Sequence, residues 1–355
     1  MVKYLLLLLV PLSFGLEYFE AGAAWVFLAG ALAVAVLADW VRRGTEQLAV
    51  HAGPAIGGLL NVSFGSVAEL ILALFVLTSG QIEVVQAQIT GSILATTLLG
   101  LGLAMLVGGL GREKQSFNRA NAGQLSTMLV LLVIALLLPA VFDATQRTQV
   151  PPSAVRITDE EVSLGIAVVL LLLYAANLVY TLITHRDVFS RQEETEGKAS
   201  WSIARCLGVM LVGTAVIAAE AELVSGALSA TGEQLGLSNV FLGVILLAVV
   251  GTAADLFAAV AFARQDRMSL VFSICIGSTI QVALVLAPLL VIISWFIGQP
   301  MDLVFQSPLN LFAIAGAAFV VRAVAADGES TWFEGLLLIS VYFMLGLGFF
   351  FLGSG

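Results

Sequence analysis

Apolar residues fill long stretches of this chain, and polar residues punctuate them at short intervals. Segments bounded by charge, Gly or Pro fall at residues 3–17, 22–48, 54–79, 81–110, 118–141, 161–184, 202–230, 236–263, 267–297, 303–322 and 331–352. Most reach the roughly 20 residues that cross a hydrocarbon core about 30 Å thick. A spanning segment must satisfy its own backbone, so these runs predict α-helices. Barrel strands would alternate over about ten residues, and the chain has no such alternation. The pattern predicts an all-α polytopic membrane protein with about 11 transmembrane helices. The opening run to Phe14, preceded by Lys3, has the look of a signal peptide. No small-x-small cleavage site follows, and Glu17 and Glu20 lead directly into the next span, so it reads as a retained first helix.

Composition agrees with the pattern. The 355 residues are 60% hydrophobic and 11% charged, well below the roughly 25% charge of a soluble domain. A net charge of −9 argues against nucleic acid as a partner and leaves the lipid bilayer as the surrounding medium. Basic residues set the orientation. With the N-terminus in the cytoplasm, the inner segments hold Lys3, Arg42, Arg43, Arg112, Lys114, Arg119, Arg186, Arg191, Lys198, Arg205, Arg264, Arg267 and Arg322. The outer segments hold only Arg147 and Arg156. The positive-inside rule therefore places the N-terminus inside and the C-terminus outside, and the expected location is a prokaryotic plasma membrane.

Within the apolar runs, two acids stand out. Glu69 lies in the third segment, and Asp255 follows it by 186 residues (255 − 69) in the eighth. An ionisable residue at bilayer depth costs roughly 2.5–3.5 kcal/mol on the insertion scale and marks a functional site by default. The same offset aligns Gly57 with Gly243, Gly65 with Gly251, Ala68 with Ala254, Leu70 with Leu256, Gly91 with Gly277 and Ser92 with Ser278. Helices two to six and seven to eleven form groups of five, and an odd count makes the groups enter the membrane from opposite sides. The expected architecture is one extra N-terminal helix (1–21) plus two inverted five-helix repeats (22–184 and 202–355). A cytoplasmic mixed-charge connector (185–201) joins them, and the site lies near the midplane between the repeats.

The residues around the two acids suggest their chemistry. Ser66 and Gly65 stand three and four residues before Glu69, as Thr252 and Gly251 do before Asp255, so each set shares a helix face. Gly65 and Gly251 allow close approach of a neighbouring backbone and could loosen the helix to free carbonyl oxygens. Gln88, Ser92 and Thr96 form one polar stripe, and Ser273, Gly277, Ser278 and Gln281 form another. Two carboxylates, hydroxyls and amide oxygens make a hard-cation ligand set that suits Ca²⁺. Blander readings stand beside this one. Ser63 and Ser273 fit back-bonding to their own helix, and Gln88 and Gln281 fit interhelical glue. A structural ion pair explains Glu69 and Asp255 poorly, because neither helix carries a base near that depth. Glu46 and Glu222, the latter with Glu220 beside it, are candidate mouth or gate carboxylates, with interfacial solvation the alternative; Glu83 reads as interfacial. Cys206 and Cys275 read as packing residues. His51 and His185 are isolated, and no nucleophile or phosphate-loop motif occurs, so the chain does not read as an enzyme.

With these residues in view, the chain resembles the Ca²⁺/H⁺ antiporter family of the Ca²⁺/cation antiporter superfamily over nearly its whole length. The likeness is densest at Gly57-Gly58-Leu59-Leu60-Asn61, Ala68-Glu69-Leu70-Ile71, Gly80-Gln81-Ile82-Glu83-Val84-Val85 and Gly91-Ser92-Ile93-Leu94. In the second half it lies in Glu222-Leu223-Val224, Gly277-Ser278-Thr279-Ile280-Gln281 and Trp295-Phe296-Ile297-Gly298-Gln299-Pro300-Met301. The resemblance implies the same inverted-repeat fold, with the family's signature acids falling on Glu69 and Asp255. Departures are Ser66 and Thr252 where the family has asparagines, Asp255 for a glutamate, Leu256 for a frequent histidine, and Thr96 for an amide.

The function it implies is a secondary antiporter that exports Ca²⁺ in exchange for protons, with no cofactor beyond the transported Ca²⁺ and H⁺. Glu69 and Asp255 would bind Ca²⁺ and carry protons on the return, with Ser66, Thr252, Ser92, Ser278, Gln88 and Gln281 supplying neutral oxygens. Helices two and seven would move against the core to alternate access. A Na⁺/Ca²⁺ or other monovalent-coupled exchanger is the alternative within the class; a cation channel and a non-transporting scaffold are the alternatives outside it.

Overall fold

The computed structural model describes residues 2–52, 60, 64–146, 152–180, 200–305 and 307–352. Gly57, Gly58, Leu59, Asn61, Ser63, Arg147, His185 and the connector up to residue 199 lie outside the described residues.

Helices appear where the apolar runs predict them. They are α1 (residues 2–18), α2 (Ala23–Ala52), α3 (Val67–Thr78), α4 (Ile82–Gly109), α5 (Arg119–Gln146) and α6 (Pro152–Val179). The second half holds α7 (Ile203–Leu235), α8 (Asn239–Arg264), α9 (Met268–Phe296), α10 (Pro308–Val324) and α11 (Trp332–Leu352). Among the described residues eight are long and apolar enough to cross a membrane, while Leu6–Tyr18, Val67–Thr78 and Pro308–Val324 are shorter. Local chemistry sets the ends. Ser202, Ser238 and Ser307 cap α7, α8 and α10 by accepting from the amides of Arg205, Phe241 and Leu309. Gly236 ends α7 at φ +65°, a conformation open to glycine, and the Leu237 amide returns to the Gly232 carbonyl at 2.9 Å.

α1 tightens to a 3-10 turn at Leu6–Leu8, and three other helices among the described residues widen into π turns. α4 contains a π-helical turn at Ala95–Gly100, α8 one at Leu242–Leu247, and α9 one at Val282–Leu286. Adding 186 to 95–100 gives 281–286, so the first and third fall at matching places in the two halves. In α9 there is a local cause: Pro288 has no amide to give the Leu284 carbonyl, and the wider turn lies at that point.

The core is built on close backbone approach. A Cβ on Gly91 would run into the Val244 carbonyl of α8, and one on Gly243 would lie 2.7 Å from the Val84 carbonyl of α4. Each helix thus offers the other a glycine, and the two axes close together. α2 and α7, of 30 and 33 residues, pack along most of their lengths. Gly30 faces Val224, Gly44 faces Met210, and Gly213 faces Val41 across that contact. On one face of the bundle the 110–118 and 325–331 connections pair as a two-stranded ladder, Gln115–Ser116 with Glu329–Ser330. Gln115 also bonds the Ala263 carbonyl and Asp266, so residues predicted to share one side of the membrane do meet.

Candidate functional site

The third segment does not form one unbroken helix. It turns at Gly65–Ser66, and α3 starts at Val67 with Ser66 in a non-helical conformation. Glu69 therefore sits in the first turn of a helix, where free amides and the helix dipole favour a negative charge. Opposite it, α8 runs unbroken through Gly251. Loosening of the helix is thus found at Gly65 and not at Gly251, whose carbonyl stays within an intact helix. Gly251 instead gives room: a Cβ there would stand 3.1 Å from Glu69 Cγ. α3 can press its carboxylate against α8 because α8 has no side chain at that point.

Glu69 is 1% exposed. Its Oε1 has no hydrogen-bond partner, and neither do the buried Gln88 Oε1 and Ser92 Oγ. Ser92 faces the Glu69 carboxylate, and Gln88 Nε2 reaches the Glu69 main-chain carbonyl at 3.5 Å. One turn along α8 from Gly251, Asp255 accepts a 2.6 Å bond from Ser278 Oγ of α9. Ser66 Oγ reaches Gln281 Oε1 at 3.4 Å, which closes α3 onto α9. Neither acid has an ion-pair partner among the described residues. No group of three Asp, Glu, His or Cys side chains is placed among them to hold a metal ion by itself, so neutral oxygens must complete a cation shell at the two acids. Unsatisfied buried oxygens are costly, and a carboxylate oxygen of Glu69 left open beside those of Gln88 and Ser92 suits a bound cation.

Most of the predicted neutral donors converge here: Ser66, Gln88, Ser92, Ser278 and Gln281 all touch or face one of the two acids or each other. Thr252 is the exception. Its hydroxyl bonds the Ala248 carbonyl of its own helix at 2.8 Å, the ordinary behaviour of a threonine in an apolar helix. Thr96 pairs with Thr279 of α9 at 2.7 Å and braces α4 against α9. Ser273 back-bonds Ser269, as its blander reading expects.

The two candidate mouth carboxylates differ. Glu222 lines a 750 Å³ cavity with Glu17 and Glu20, between α1, α2 and α7. Glu46 lines a smaller cavity of 320 Å³ and is bonded to Arg42, which also holds Asp39 at 2.9 Å. The sequence reading treats Arg42 and Arg43 as topology signals only. In the structure Arg42 is largely buried, and its positive field reaches Asp255 from the neighbouring helix. Tyr174 of α6 was also missed: it approaches Gln281, and a lone tyrosine near a helix end carries no warning in the sequence.

Comparison with known proteins bears directly on this geometry. The profile of the family described as sodium/calcium exchanger protein matches residues 22–183 and 206–351. The chain belongs to the sodium/calcium exchanger protein family. Within this family it falls in the Ca²⁺/H⁺ antiporter branch. It is 38% identical to a Ca²⁺/H⁺ antiporter of Aphanothece halophytica, over 98% of this chain and 95% of that one. It is 37% identical to the Ca²⁺/H⁺ antiporter ChaA of Bacillus subtilis strain 168, over 97% of both. The solved structure of native YfkE superimposes with a TM-score of 0.84 at 33% identity, covering 98% of this chain and 99% of that one. The exchanger's helical membrane fold is therefore that of its relatives.

Proposed function

We propose that this protein is a secondary antiporter that exports Ca²⁺ from the cytoplasm in exchange for protons, at the site formed by Glu69 and Asp255. The observation that carries the reading is the buried Glu69 carboxylate on α3 and the half-buried Asp255 carboxylate on α8, which packs against it, with unpartnered oxygens of Gln88 and Ser92 beside Glu69. Deprotonated, the pair and its neutral neighbours offer a hard dication an oxygen shell. Protonated, the same oxygens are neutral and hold the cation poorly. Proton and Ca²⁺ thus compete for one set of atoms, the minimal requirement for exchange. The names of the full-length relatives support Ca²⁺ and H⁺ as the two cargoes.

In this reading residues 22–184 and 202–355 are two inverted repeats, with residues 1–21 an extra helix. The π turns of α4 and α9, at matching places in the two halves, support it. The N-terminus lies in the cytoplasm of a prokaryotic cell, so Glu46 faces inward and Glu222 outward. Alternating access comes from the α2–α7 pair moving against the rest. The test is Ca²⁺ uptake into proteoliposomes under an imposed pH gradient or an imposed Na⁺ gradient. Uptake driven by the pH gradient alone is expected; uptake driven by Na⁺ alone would replace this reading with a sodium-coupled one.

A further inference from the structure

A third intramembrane carboxylate has no role in the central site. Glu220 of α7 is fully buried, at 0% exposure, against α1 and α2. Its Oε1 lies 2.7 Å from Ser13 Oγ of α1, and Ser13 Oγ lies 2.7 Å from the Val10 carbonyl of its own helix. Both lengths are ordinary for O–H···O bonds. A serine hydroxyl has one hydrogen and cannot donate to two acceptors at once. The carbonyl can only accept. If Ser13 donates to Val10, the hydrogen between Ser13 and Glu220 must come from the glutamate.

The surroundings agree. Glu220 Oε2 is buried without a partner, and α2 closes over it at Gly30, whose Cβ would stand 3.3 Å away. α2 carries no ionisable residue between Ala23 and Ala38, and α1 presents Ser13, with Glu17 one turn on in the neighbouring cavity. Within α7 the nearest titratable group is Glu222, in that same cavity. α3 meets α7 through Ser79 and Ser225 rather than through a charge. No ion pair to Glu220 is present among the described residues. An anion here would have neither counter-charge nor a full set of donors, whereas a carboxylic acid donating to Ser13 needs neither.

We propose that Glu220 is a second proton-binding site, separate from the Glu69–Asp255 pair, and that its bound proton is what clamps the extra helix α1 onto α7. Loss of the proton leaves a bare charge in the α1–α2–α7 contact and drives the helices apart, so the clamp releases under alkaline conditions. The clamp does not depend on the exchanger reading, and the test reads protonation and helix opening, so the two fail separately.

The experiment uses full-length protein in liposomes carrying Glu69→Gln and Asp255→Asn, which remove the central acids. Infrared difference spectra near neutral pH are compared with and without Glu220→Gln. The expected result is a protonated-carboxyl carbonyl band that Glu220→Gln abolishes and Ser13→Ala shifts. A parent spectrum without that band, or a band that survives Glu220→Gln unchanged, overturns the proposal. Hydrogen exchange supplies a second readout in otherwise native protein. After correction for the intrinsic pH effect, the amides of Leu9–Tyr18 should open several-fold more at alkaline pH, and Glu220→Gln should remove the rise. Equal alkaline opening in both proteins contradicts the clamp.

Discussion

Glu69 owes its position to a residue with no side chain. Gly251 lets α3 press against α8, and a methyl group there would crowd Glu69 Cγ at 3.1 Å. Overpacking of this kind costs about 1–3 kcal/mol. Gly251→Ala is therefore expected to weaken Ca²⁺ binding by roughly tenfold or more, each 1.4 kcal/mol being a factor of ten. Isothermal titration checks this, and Gly251→Val should be worse. The glycines of the α4–α8 contact make a different prediction. Gly243→Ala would place a Cβ 2.7 Å from the Val84 carbonyl, so it should lower the melting temperature in detergent whether or not Ca²⁺ is present. At this scale the sequence is uneven. An acid inside an apolar run is conspicuous, so Glu69 and Asp255 could be read directly. Ser13 and Glu220 are 207 residues apart, and nothing local in either helix announces that they meet.

Among the elements, α3 and the π turns show where helical patterning stops being informative. Hydropathy places an unbroken helix at 54–79; Gly65 and Gly251 read alike as points where a helix could loosen, and nothing in the sequence tells that only Gly65 does so. The π turns are invisible for a related reason: one extra residue in a turn leaves the apolar pattern intact, and only Pro288 hints at one. Thr96 shares the polar stripe of Gln88 and Ser92, yet its hydroxyl bonds Thr279 and ties α4 to α9. A double-mutant cycle on Thr96→Val and Thr279→Val should give a coupling energy of about 0.6–1.7 kcal/mol, the range of interhelical hydrogen bonds in membranes. Zero coupling in thermal unfolding would mean that the pair does not brace the helices.

For the whole molecule, the question is which parts move. α7 touches the core directly, where Ser225 Oγ lies 2.9 Å from Ser79 Oγ just past the end of α3. If α2 and α7 travel together against the rest, a Ser79→Cys/Ser225→Cys disulfide, with Cys206 and Cys275 replaced, should arrest exchange until it is reduced. A Gly44→Cys/Met210→Cys bond within the α2–α7 pair should leave exchange running; the opposite pattern would assign the motion to other helices. The all-helical membrane class was legible, and Glu69 and Asp255 were conspicuous, because bilayer thickness and the cost of a buried charge constrain sequence strongly. The packing of α2 on α7 was not, since small residues abound in every helix.

The central claim is that proton and Ca²⁺ share the oxygens of Glu69 and Asp255. Its most direct measurement is the number of protons released when Ca²⁺ binds, obtained by titration calorimetry in buffers of different ionisation enthalpy. The wild-type protein should release protons near neutral pH and bind Ca²⁺ more weakly as the pH falls. The Glu69→Gln/Asp255→Asn protein should do neither, with affinity lost by about two orders of magnitude or more, given the roughly 3–5 kcal/mol cost of breaking a buried ionic contact. Wild-type Ca²⁺ binding without proton release, or equal release from the double variant, would contradict the account.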